Sequence, residues 1–67
     1  MDKTDEFKLN KALKNVIETY DILKELNEKI DDTKYIKQLL AIKRFADIVS
    51  RMAHILAEVL IDKKYGD

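Results

Sequence analysis

Apolar residues recur along the chain at alternating spacings of four and three, in two series whose phases do not join. Leu9, Leu13, Val16, Tyr20, Leu23 and Ile30 form the first, with Asn27 in its remaining slot. Tyr35, Leu39, Ile42, Ala46, Val49, Ala53, Leu56 and Leu60 form the second. This spacing holds side chains on one face of an α-helix, so each series predicts a seam against another helix. Prolonging the first series would place Lys34 and Lys37 in the seam, whereas the second is anchored on Tyr35 and Leu39. A turn between two helices accounts for that slip. The pattern predicts an all-α chain, with helix 1 over about 5–30 and helix 2 over about 33–64, folded as an antiparallel hairpin.

Local signals set the ends of these helices. Asp2 or Thr4 is placed to cap helix 1, with Asp5 and Glu6 at the positive end of its dipole. The break falls at Asp31-Asp32-Thr33, where Asp32 or Thr33 can cap helix 2. No glycine ends helix 1, while Gly66, the only glycine, stands where helix 2 would use one for a left-handed cap. Asn27 either fixes the register of the seam or frays into the turn.

The two helices differ in how much apolar surface they carry. The stripe of helix 1 is narrow, flanked by Ala12 and Leu26 on one side and Ile17 on the other, with Phe7 and Ile22 lying off it. Helix 2 adds Phe45, Met52 and Val59, spaced by seven, and Ile48 and Ile55, also spaced by seven. Its apolar arc exceeds roughly 160°, more than one neighbouring helix covers. One edge is small (Ala46, Ser50, Ala53, Ala57) and the opposite edge is bulky. The small edge admits a close backbone, which suits helix 1, and leaves the bulky edge for a second subunit; the reverse assignment satisfies the same pattern.

Size pushes toward the same conclusion. At 67 residues the chain is a single αα-hairpin domain, residues 1–67. Chains this short rarely draw more than about 3–5 kcal/mol from one core, and compensate with disulfides, a metal or oligomerisation. There is no cysteine and one histidine, so oligomerisation is the expected route. The expected assembly is a homodimeric four-helix bundle. Its interface residues are Phe45, Ala46, Ile48, Val49, Met52, Ala53, Ile55, Leu56, Val59 and Leu60.

Charge refines the choice of partner. Thirteen bases balance thirteen acids overall, which argues against sequence-blind binding to a polyanion. The balance is uneven, however. Residues 1–32 carry nine acids and six lysines, and residues 33–67 carry seven bases and four acids. Opposite signs on the two arms favour packing one against the other, or against the other arm of a second copy, selecting orientation more than adding stability. The start of the chain lacks the basic and apolar character of a signal peptide, and no apolar run approaches a membrane span. A cytoplasmic protein without membrane association is expected.

The chemistry-bearing residues are few. His54 shares the polar face of helix 2 with Asp47, Arg51 and Glu58. His54 and Glu58 are spaced as two metal ligands would be, but equally as a solvated ion pair, and the latter is the simpler reading. Ser50, the only serine, is assigned to the small ridge, and there is no glycine-rich phosphate loop. Neither catalysis nor a cofactor is expected. Lys37, Lys43, Arg44 and Arg51 make a basic stripe, interrupted by Asp47, that a dimer would duplicate. The sequence therefore predicts a non-enzymatic assembly or regulatory module, partnered with itself and with another protein. A small nucleic-acid-binding regulator using that stripe, and an accessory subunit of a larger heteromeric complex, are the alternatives.

Overall fold

The structure is a computed structural model that describes residues 2–66. It is all-helical, with no strand among the described residues. The chain divides into two units, Met1–Asp31 and Asp32–Asp67, each built on one long helix.

The first unit contains α1, Lys3–Leu26, 24 residues and about 36 Å long. Asp2 is its cap: the carboxylate Oδ1 accepts from the Asp5 backbone N–H at 2.9 Å. Asp5 and Glu6 occupy the first turn, where the helix dipole favours negative charge. Within the helix, the Thr19 hydroxyl donates to the Asn15 carbonyl at 2.9 Å, which satisfies it without a tertiary partner.

Helix 1 stops four residues short of the expected Ile30. Asn27 is the C-cap, and residues 27–29 form a turn in which the Leu26 carbonyl accepts from both Lys29 and Ile30 at 2.9 Å. The cause is local. Asparagine is a poor helix former, and Glu28, Asp31 and Asp32 would each face the negative end of an extended helix. Asn27 therefore opens the turn, with its side chain exposed, and does not occupy a regular helical seam.

The second unit opens with a 3₁₀ turn, Thr33–Tyr35, before α2, Ile36–Tyr65, 30 residues and about 45 Å long. The regular α-helix thus begins at Ile36 and not at 33. Asp32, not Thr33, is the cap, its Oδ1 accepting from the Lys34 N–H at 2.9 Å and its carbonyl from Tyr35 at 3.2 Å. Lys34 folds back on this corner, with Nζ 3.8 Å from Asp32 Oδ2 and 5.1 Å from the Tyr35 ring centroid. A tight first turn of this kind commonly leads into an α-helix.

At the far end Lys63 and Lys64 lie in the last turn, and the Gly66 N–H donates to the Asp62 carbonyl at 2.7 Å. Gly66 is the C-cap as expected, but its backbone is extended (φ −78°, ψ 159°), not left-handed. What glycine supplies here is room, because a Cβ would run into the Asp62 carbonyl oxygen.

Neither unit has an interior of its own. Among the described residues every side chain is exposed except Leu23 and Ile30, which are half-buried members of the first seam. Helices in water draw most of their stability from packing an amphipathic face, and propensity alone leaves them marginal.

Because one carboxylate organises the entry to α2, Asp32→Ala is expected to cost about 1 kcal/mol of helix stability and Asp32→Asn much less. Urea denaturation followed by circular dichroism measures both.

Candidate interaction surface

Helical geometry sorts the side chains of α2 into a central seam, two edges and a polar face. On the bulky edge, Phe45 is 66% exposed, Met52 58% and Ile55 54%, with Ile48 and Val59 close to half. In the seam, Val49, Leu56 and Leu60 are likewise exposed. Ala46, Ala53 and Ala57 line the opposite edge with Ser50, leaving a strip without bulk. All ten expected interface residues therefore lie on the solvent-facing surface of α2 in the single chain. Such exposure is common to an interface seen on one of its two chains and to a monomer with a bare face. Molecular mass in solution separates the two.

Among the described residues, the polar face carries local interactions only. His54 Nε2 lies 3.8 Å from Glu58 Oε1, one turn apart, with both side chains largely exposed. This is the solvated pair expected from the spacing. Asp47 and Arg51 share this face at the same four-residue spacing, but no ion pair joins them among the described residues. On α1 and its exit turn, Glu25 and Lys29 pair at 3.5 Å, also exposed. Exposed pairs of this kind contribute a few tenths of a kcal/mol at most. No group of three metal-ligating side chains occurs among the described residues. Ser50 is one turn from His54 on α2, nearer than its assignment to the small ridge implies, and no hydrogen bond joins them among the described residues.

The basic stripe is only partly gathered. Lys43, Arg44 and Arg51 border a shallow depression together with Leu40, Asp47 and Ile48, while Lys37 lies outside its lining. Asp47 sits among the three bases and offsets part of their field. Leu40, 59% exposed, is an apolar residue on the polar side that the seam pattern does not single out. Its signal in the sequence is the spacing of four from Ile36, itself 51% exposed. No helix among the described residues is long and apolar enough to cross a membrane.

No protein-family model, curated protein or solved structure matches the chain.

The His54–Glu58 contact predicts little on its own account: His54→Gln should alter stability by no more than about 0.5 kcal/mol. A loss well beyond that in urea denaturation would assign the pair a role the exposed geometry does not give it.

Proposed function

We propose that this protein is a non-enzymatic assembly or regulatory module: an antiparallel αα-hairpin that forms a homodimeric four-helix bundle and acts through helix–helix contact with another protein. The observation that carries this reading is the exposed apolar surface of α2, which runs from Phe45 to Leu60 and is wider than one helix covers.

Charge supports the antiparallel hairpin. Residues 17–32 carry six acids and two lysines, while residues 33–51 carry five bases and one acid. Folding back at the turn sets these two stretches side by side, opposite sign against opposite sign. A parallel arrangement would instead set residues 33–51 beside residues 3–16, which carry four lysines and two acids. Like-charge juxtaposition is unfavourable, so charge favours the fold-back.

A second reading has one observation in its favour: Lys43, Arg44 and Arg51 lie along one shallow, open stretch of the α2 surface. Duplicated in a dimer, that face would contact phosphates of a nucleic acid. As an accessory subunit of a heteromeric complex, the chain would offer the same bulky edge to a different protein.

The dimer makes direct predictions. Sedimentation equilibrium should give twice the chain mass, and a stable, folded monomer would exclude this reading. Ile55→Ala or Leu56→Ala should cost about 2–5 kcal/mol and promote dissociation together with unfolding. For the nucleic-acid reading, titration of RNA and DNA should show salt-dependent binding that Lys37→Gln, Arg44→Gln and Arg51→Gln together abolish without loss of helicity. No such binding by the wild type ends it. Isolated protein that orders only with a co-purified partner would favour the accessory subunit.

A further inference from the structure

The apolar edge of α2 has a property that a single-copy contact does not require. Ala41, Phe45, Ile48, Met52, Ile55 and Val59 follow one another at spacings of 4-3-4-3-4. That series reads the same in both directions. Reversing the helix about a point between Ile48 and Met52 sets Ala41 opposite Val59, Phe45 opposite Ile55 and Ile48 opposite Met52. Each rung joins two apolar side chains, and each occurs twice. The two inner kinds of rung, phenylalanine against isoleucine and isoleucine against methionine, are large, and the outer alanine–valine rungs are smaller, so the bulk is concentrated about the centre of the row. A C2 interface uses one surface patch on both subunits, and its residues pair reciprocally in this way.

The charges beside the row have a matching symmetry. Lys37, Arg44, Arg51 and Glu58 flank it at intervals of seven. In an antiparallel pair, the same flank of both helices lies on the same side of the contact. The reversal that aligns the apolar rungs then brings Arg44 beside Glu58 of the partner subunit, and Glu58 beside Arg44 of the partner subunit. Arg51 falls near Arg51 of the partner subunit at the dyad, where Asp47, one turn away on each helix, offsets part of the repulsion. A parallel pair would lay Arg44 and Arg51 beside the partner's Val49 and the partner's Leu56. That arrangement pairs no charge there and covers seam residues that the hairpin needs for α1. Antiparallel helices also oppose their dipoles.

We infer that the bulky edge of α2 binds a second copy of α2 in antiparallel orientation, with the dyad between Ile48 and Met52 and reciprocal Arg44–Glu58 ion pairs closing one flank. This rests on the homodimer proposed above, and it assigns the small edge to α1.

Because the chain has no cysteine, single-cysteine variants report the geometry directly. Ala41→Cys and Val59→Cys proteins, mixed in equal amounts in a glutathione redox buffer, should form the mixed disulfide well above the statistical half of cross-linked product. Dominance of either symmetric disulfide, joining two Ala41→Cys chains or two Val59→Cys chains, would overturn the orientation.

If cross-linking does not exceed that of a urea-unfolded control while sedimentation still gives a dimer, the interface lies on another face, and this inference fails while the dimer stands. A monomer in sedimentation defeats both. The flank has its own readout. Arg44→Glu should raise the dimer dissociation constant several-fold, and adding Glu58→Arg in the same chain should restore it to within about twofold. Failure of the double exchange to restore affinity would remove the ion pairs from the interface.

Discussion

Two long helices without a buried side chain of their own set the terms for everything else in this molecule. Main-chain hydrogen bonding is satisfied along each helix, but ordering those residues costs conformational entropy that local bonding does not offset alone. The balance must come from removing the apolar stripes from water. Leu23 and Ile30, the half-buried pair, are a small fraction of that surface. Packing of those stripes is therefore the term on which the stability of both helices turns.

The arms are not equivalent in that respect. α1 presents a narrow stripe of the kind one neighbouring helix can cover, and its chemistry beyond that is an ordinary wet surface. α2 presents a seam, an alanine-rich edge and a bulky edge, all of them exposed. Polar groups on α2 show the opposite character. His54 and Glu58 meet at 3.8 Å in the open, and Asp47 stands within the basic cluster. Neither arrangement is shielded from water, so neither gains the strength that low dielectric confers. The apolar faces are the specific features of this chain.

Much of the secondary structure could be read from spacing alone, because the shift of phase between Ile30 and Tyr35 has no other simple cause. What spacing could not supply was the detail at the ends. Periodicity counts Asn27 and Ile30 as seam positions, whereas the termination of α1 is decided by carboxylates facing its negative pole. Asp2 and Asp32 were candidates beside Thr4 and Thr33, and only geometry separated a capping carboxylate from a nearby hydroxyl. Gly66 marked the right place through a different mechanism, steric clearance from the Asp62 carbonyl instead of a left-handed backbone. Leu40 shows a further gap. A pattern search that looks for one continuous face passes over an apolar residue among bases. The apolar positions of α2 were legible in the sequence as a set, but what covers them was not, since a helix face records a shape and charge and not the identity of a neighbour.

The caps carry a consequence for how the two arms are joined. Asp2 starts one helix and Asp32 the other, each through a hydrogen bond of 2.9 Å to its own following residues. The start signal of each helix thus lies in the residue just ahead of its first turn, and for α2 that residue, Asp32, belongs to the connecting stretch. A cut or an insertion ahead of Asp32 therefore removes neither helix's cap.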